Sequence, residues 1–353
     1  MGTLKTDIIK QLIVRYIRDT NMHKGDALPS QDFFRRFFKC GMTTVSAAIN
    51  DLKNDGVLQV YDKVGVFVID PNVDGHAGRV IGITAKYVEG SPYYSSLLGA
   101  LQMNLIRKGC QTQIFCCNDK NKNSFSFSID DFSGLRRCIK SNELDAVMHL
   151  DDFKSSMFNL LEKKKIPVFF VGNIGISPDG LFYDQQSMLH DMCLKLREIG
   201  AKRPGLYIQS PIKKYLEGIF IEETNSKGII YSDNSTSGCE SVARELIAMN
   251  DAERPDAMIY MDDIHAQQII CILVQHLPYD KIPRSIILRN RQLMLSYPVS
   301  DPIFYSIDLV EVATKAVELL LNTLKNENLH AGHNFYALQE DIENMSIKMN
   351  DKI

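Results

Sequence analysis

Apolar residues recur at helical spacing at the start of the chain, at Ile8, Ile9, Leu12, Ile13, Tyr16 and Ile17, with charged residues between them. This spacing predicts an amphipathic helix of about three turns. His23–Asp26 breaks the pattern, and Leu28-Pro29-Ser30 leads into a second helix, Gln31 to Phe38, with Ser30 at its cap. Gly41 ends that helix. Thr43 or Thr44 caps a third, whose apolar stripe is Val45, Ala48, Ile49 and Leu52 and which stops at Asp55-Gly56. Two β-rich runs, Val57–Tyr61 and Val66–Ile69, flank the turn Asp62–Gly65. Three helices and a two-stranded wing within residues 1–70 predict a small winged helix-turn-helix domain.

Residues 71–78 read as a polar linker. From 79 to 353, apolar strands alternate with amphipathic helices. The strands are Val80–Thr84, Gln113–Cys117, Ala146–Leu150 and Val168–Val171, then Gly205–Ile208, Ala257–Met261, Ser285–Leu288 and Phe304–Ile307. Continuous apolar strands between such helices predict an α/β fold with parallel sheets covered on both faces. The pattern restarts after Asp184, which predicts two lobes: one of about 79–183 plus 304–325, the other of about 184–303 plus the C-terminal segment. A cleft between lobes lies at the carboxyl ends of the strands, where such sheets bind small molecules.

Composition narrows the function. The net charge of −3 over 353 residues excludes a polycation that coats itself in nucleic acid. Residues 1–70 hold 10 basic and 8 acidic side chains and the rest 30 and 35, the asymmetry expected of a DNA-binding head on an acidic body. No apolar run approaches the ~20 residues that span a bilayer, so no membrane partner is expected. Lys5, Asp7, Lys10, Arg15, Arg18 and Asp19 interrupt the N-terminal stretch, unlike a signal peptide, so a cytoplasmic location is expected. The eight cysteines include no C-x-x-C pair and read as reduced thiols, with no metal site. No G-x-G-x-x-G follows Val80–Thr84, and neither a P-loop, a G-x-S-x-G elbow nor an H-E-x-x-H occurs. An enzyme is therefore disfavoured and no cofactor is expected.

Gly25-Asp-Ala-Leu-Pro-Ser30, Thr43-Thr-Val-Ser-Ala-Ala-Ile-Asn-Asp-Leu52, Asp55-Gly-Val-Leu58 and Gly65-Val-Phe-Val68 resemble the DNA-binding domain of the gluconate-repressor (GntR) family. The resemblance implies that the third helix enters the major groove, that the wing reaches the minor groove, and that dimers read palindromic half-sites. The family usually carries arginines where this chain has Asp32, Met42 and Ser46, which implies different or weaker DNA reading. The candidate DNA contacts are Arg35, Arg36, Lys39, Thr43, Thr44, Ser46, Asn50, Lys53 and Lys63. Asn50 is suited to adenine, and Thr43 or Thr44 to a thymine methyl.

Val80-Ile-Gly-Ile-Thr84, Ser91-Pro-Tyr-Tyr94, Leu144-Asp-Ala-Val147, Gly200-Ala-Lys-Arg-Pro-Gly-Leu206, Pro255-Asp-Ala-Met258 and Asp262-Asp263 resemble the effector domain of the lactose-repressor (LacI) family, which shares the fold of periplasmic sugar-binding proteins. The combination is similar to arabinose-type sugar repressors. It implies a cytoplasmic homodimer that binds double-stranded operator DNA and a small-molecule effector, a sugar, in the cleft. The implied ligand residues are Tyr93 or Tyr94 as a stacking face, Asp263 as a bidentate hydroxyl acceptor, and Asn173, Tyr215, Asn290 and Asp308 as further polar contacts. Arg289, Arg291, Lys213 and Lys214 either serve an acidic or phosphorylated ligand or are surface charges. Three readings stay open: a repressor of carbohydrate-utilisation genes, a ligand sensor with weak or lost specific DNA binding, and an α/β sugar enzyme.

Overall fold

A computed structural model describes residues 3–61, 64–69, 78–85, 92–117, 126–172, 177, 179–209, 214–232, 236–325, 330–336 and 339–340. Helices α1 (Thr3–Asp19), α2 (Gln31–Phe37) and α3 (Met42–Asn54) precede an antiparallel pair, β1 (Leu58–Tyr61) and β2 (Gly65–Val68). Ser30 caps α2, its side chain accepting from Phe33 N. Gly41, in extended backbone, takes the N-cap of α3 without a side-chain bond, so neither Thr43 nor Thr44 is the cap; both lie inside the first turn. Glycine is tolerated at a cap, and the unbranched Met42 extends the helix towards it. At the other end Gly56 adopts φ +77°, with Val57 N donating to Leu52 O. That left-handed closure favours glycine. Ile9, Ile13, Ile17, Phe34, Val45, Ile49 and Leu52 are buried together as the core of this head.

Among the described residues, the rest of the chain builds two six-stranded sheets. The first contains β3 (Val80–Ala85), β4 (Gln111–Cys116), β6 (Ala146–His149), β8 (Val168–Gly172), β9 (Gly180–Tyr183) and β15 (His333–Tyr336), in the order β15-β9-β8-β6-β3-β4 and all parallel. A small parallel pair, β5 (Ser126–Phe127) and β7 (Asp152–Phe153), lies outside it. The second sheet contains β10 (Pro204–Gln209), β11 (Gly228–Ser232), β12 (Ala257–Tyr260), β13 (Arg284–Asn290), β14 (Ile303–Ile307) and β16 (Gln339–Glu340). Its order is β11-β10-β12-β13-β14-β16, with only β16 antiparallel. Every residue of β3, β6 and β12 is buried, as expected of inner parallel strands with helices on both faces. Gly180 lets β9 approach β8, because a Cβ there would fall 2.6 Å from Phe170 O.

The helices are α4 (Pro92–Arg107), α5 (Leu135–Lys140), α6 (Ser155–Lys163), α7 (Gln185–Glu198), α8 (Lys214–Thr224), α9 (Thr236–Ala248), α10 (Asp263–His276) and α11 (Leu309–Lys325). Segment 304–325 divides differently from its expected place in the first lobe. Its strand, β14, pairs with β13 in the second sheet, and only α11 returns to pack on α4. The C-terminal segment also divides, His333–Tyr336 pairing with β9 and Gln339–Glu340 with β14. The reason is the apolar stripe of α11 (Leu309, Val312, Ala313, Ala316 and Leu320), which is buried in the core that contains Leu97 and Leu101 of α4. Apart from Gly78, the linker 71–78 lies outside the described residues.

Candidate nucleic-acid interface and effector cleft

The buried stripe of α3 turns Thr43, Asn50 and Lys53 outward on its opposite face. Thr44 and Ser46 are half-buried, and Ser46 Oγ donates to Gln31 Oε1 of α2 at 2.7 Å. Asp32 gathers both α2 arginines. Its Oδ1 accepts from Arg35 Nη2 at 2.7 Å and Nε at 2.8 Å, and its Oδ2 lies 2.7 Å from Arg36 Nη2. The Arg35 hydrogen bond, with help from Arg36, holds the Asp32 carboxyl below the usual carboxylate range. Lys39 is exposed in left-handed backbone, φ +49°, and Lys63 lies outside the described residues. Sequence reading places Arg35 and Arg36 against DNA but passes over their engagement by Asp32. The signal for it is the i, i+3 and i, i+4 spacing.

In the body, the carboxyl ends of the strands carry two polar clusters, one on each sheet. On the first, Tyr93 and Tyr94 open α4 with rings edge-to-face at 5.3 Å. Tyr93 OH bonds Tyr183 OH at 2.8 Å, and Tyr94 OH donates to Asp151 Oδ1 at 2.6 Å. Burial raises the Tyr93 phenol above its ordinary pKa. His149 ends β6 beside them, fully buried, its ring stacked 4.2 Å from that of Phe153. Its Nδ1 lies 2.7 Å from Asp151 O; a carbonyl only accepts, so Nδ1 carries the proton. Burial pushes the His149 pKa down to about 4.

On the second sheet, Asp263 is only 2% exposed. Its Oδ1 accepts from Ile264 N at 2.9 Å, and its Oδ2 from Asn290 N at 2.8 Å and Asn290 Nδ2 at 3.1 Å. Three protein donors thus converge on the carboxylate that the sequence offers to sugar hydroxyls, and they clasp α10 to β13. Burial raises the Asp263 carboxyl above the usual range. Asn290 Oδ1 is buried and has no hydrogen-bond partner among the described residues.

Asp308 accepts through Oδ1 from Gln292 Nε2 at 2.8 Å and from Val310 N at 3.0 Å, and its Oδ2 lies 3.6 Å from Arg291 Nη1. Asp262 caps α10 through His265 N, and Asp184 caps α7 through Ser187 N. Arg289 lies 4.1 Å over the Phe304 ring and donates from Nε to Ser306 Oγ at 3.0 Å. Asn173 and Lys213 lie outside the described residues. Lys214 and Tyr215 stand in the first turn of α8, and their side chains also lie outside that description. Among the described residues no helix is long and apolar enough to cross a membrane.

Residues 5–68 match the profile of bacterial regulatory proteins of the gntR family. No curated protein sequence matches the chain. Solved structures share its fold. The Cra transcriptional dual regulator from Pseudomonas putida, in complex with fructose 1-phosphate, is 17% identical with a TM-score of 0.58, covering 74% of this chain and 98% of that one. A LacI-family regulator from Bifidobacterium animalis is also 17% identical at TM-score 0.58, over 74% and 95% of the two chains. A LacI-family regulator from Arthrobacter, in complex with lactose, is 13% identical at TM-score 0.57, over 74% and 97%. Only the two-sheet body is long enough to supply such a span. The N-terminal residues 5–68 are thus a gntR-family helix-turn-helix head, carried on a body with the fold of the LacI-family regulators.

Proposed function

We propose that the protein is a sugar-responsive transcriptional regulator. Its head reads double-stranded operator DNA, and a sugar bound between the lobes changes the affinity of that reading. The observation that carries this is the presence in one chain of a gntR-family head and a two-sheet body of the regulator fold. The sense we propose is repression of carbohydrate-utilisation genes, relieved by the effector. The reading includes a homodimer. Supporting it, Met103 and Ile106 of α4 and Ile114 of β4 are apolar and exposed on the first lobe, as a surface for a second copy requires.

A neutral sugar fits better than a phosphorylated one. Asp151, Asp262, Asp263 and Asp308 follow the carboxyl ends of the strands, while Arg289 is engaged by Phe304 and Ser306 and Arg291 stands near Asp308. Tyr93 and Tyr94 supply aromatic faces, and Asn290 Oδ1 an acceptor that has no partner among the described residues. The site binds rather than turns over its ligand. A thermal-shift screen of monosaccharides and their phosphates tests the reading, since a ligand at 100 times its Kd adds ~2.7 kcal/mol of stability. Neutral sugars should shift the transition; a shift by phosphates alone contradicts the proposed class. The engagement of Arg35 and Arg36 by Asp32, which takes two cations away from the DNA backbone, favours a second reading, a ligand sensor with weak DNA binding. Selection of duplexes from a random-sequence pool separates the two, because a reader of operators enriches a sequence and a bare sensor does not.

A further inference from the structure

We infer that Asp32 sets the specificity of the head: its carboxylate stands in for phosphate on Arg35 and Arg36 and so limits attachment to DNA of the wrong sequence. The inference rests on the regulator reading above. A carboxylate accepts the same guanidinium N–H groups that a phosphate oxygen does. Here one carboxylate holds two guanidinia, Oδ1 facing Arg35 and Oδ2 facing Arg36, each at 2.7 Å.

The position of the three residues matters. Gln31, the neighbour of Asp32, bonds Ser46 in the second turn of α3. The start of α2 therefore lies beside the reading helix, where the first helix of a helix-turn-helix crosses the DNA backbone. Asp32 brings a negative charge to that place and occupies the two cations that would otherwise attach there. The side chains of Asp32 and Arg35 are each 41% exposed and that of Arg36 is 74% exposed, so the pairs exchange partners in solvent. Each such pair is weak, worth at most ~5-fold in an equilibrium, and Asp32 makes two. A phosphate can displace Asp32 where Thr43 and Asn50 also find their bases, and competes poorly where they do not. Phosphate attachment supplies affinity for any sequence, whereas base edges supply preference. Occupying Arg35 and Arg36 thus lowers the first more than the second.

The test is fluorescence anisotropy on the full chain with two probes: a random-sequence 30-base-pair duplex pool, and the tightest duplex selected from it, each over about 50–200 mM salt. Asp32→Asn should bind the random pool ~5–10-fold more tightly. Its log K against log salt should steepen by ~0.9 for each additional phosphate that the freed arginines neutralise. The selected duplex should tighten less, so the ratio between the probes falls. Adding Arg35→Gln and Arg36→Gln to Asp32→Asn should return affinity and slope to the original values. Thermal melting of each variant checks that the head stays folded, and Asp32→Ser provides a second neutral replacement. Unchanged or weaker binding of the random pool by both Asp32 variants, with unchanged slope, overturns the inference: Asp32 would then only steady the arginines. If the unaltered protein selects no duplex at all, the regulator reading fails, and this inference with it.

Discussion

Arg18 Nη2 of α1 donates to Asp145 Oδ1 at 3.0 Å, while Asp145 Oδ2 accepts from Val80 N at 2.7 Å. One carboxylate at the entrance to β6 thus binds the last turn of the first head helix and the first strand of the body. Arg15 Nη2 adds a bond to Asn142 O at 3.1 Å. Gly78, at φ +78°, lies close enough to α1 that a Cβ would meet Gln11 O at 3.1 Å. The far end of β6 carries His149, beside Asp151 and Tyr94. The head contact and the tyrosine cluster are therefore the two ends of one strand.

The side chains of Arg18 and Asp145 are 23% and 12% exposed, so their pairing is largely shielded from solvent. Arg18→Ala should destabilise the head–body junction by about 1–3 kcal/mol. Asp145→Ala should cost more, because it strips a partner from both Arg18 and Val80 N. Calorimetry should show the head transition moving to lower temperature, away from that of the body. A head transition unmoved in both variants would show that the contact does not join the two parts.

Acid should weaken the first lobe through His149. Its folded pKa is about 4, below the ordinary 6.5, because burial disfavours the charged ring. The unfolded chain takes the proton first as pH falls, so stability is full above about 6.5 and declines from there to about 4. The loss amounts to about 3 kcal/mol at the lower end. His149→Gln, which does not titrate, should flatten this part of the stability–pH curve while lowering its neutral plateau. Parallel curves for the two proteins would assign the acid loss to other groups.

Asp263→Ala should destabilise the second lobe by about 2–3 kcal/mol, since it leaves Asn290 N and Nδ2 without their buried acceptor. Asn290→Ala made alone and in combination should show coupling of about 1 kcal/mol or more between the two. Additive losses in denaturant titrations would mean that the two residues do not act as a clasp.

On the head, Thr43→Ala or Asn50→Ala should relax sequence preference, because both face outward on α3. Lys53→Ala should instead weaken all duplexes alike and reduce the salt slope by about 0.9. Sequencing the duplexes each variant selects distinguishes the two effects. Identical selected sequences for all three would remove this face of α3 from the interface.

Much of the fold is legible where the pattern is long and unmixed. The apolar stripe Val45, Ala48, Ile49 and Leu52 locates α3, and runs such as Val80–Thr84 locate the inner strands. Six described strands, β5, β7, β9, β11, β15 and β16, give no such signal: β5, β7 and β16 are two residues long, β15 opens on the polar His333-Asn334, and β9 and β11 are entered through glycine, Gly180 and Gly228. The return of α11 to the first lobe is illegible because apolar periodicity says which face is buried but not against what. The candidate site is legible by position and not by pairing. Asp263, Asn290 and Asp308 do follow the strands of the second sheet, but their partners come from residues 27, 27 and 16 positions away in sequence. By contrast, the Asp32 pairs lie within four residues and are open to inspection.

A regulator of the proposed kind requires that a sugar in the cleft and DNA on the head bias the same molecule. A ligand shifts an equilibrium only by its differential affinity for the two states, and the coupling is reciprocal. The direct measurement is isothermal calorimetry with the sugar that gives the largest thermal shift, titrated into the free protein and into the protein saturated with its selected duplex. A coupling of 1–3 kcal/mol, typical of allosteric proteins, separates the two affinities by ~5–150-fold. For a repressor released by its effector, the DNA-bound form should bind the sugar more weakly. Equal affinities in the two titrations would contradict the claim, because the cleft ligand would then have no means of moving the head on or off DNA.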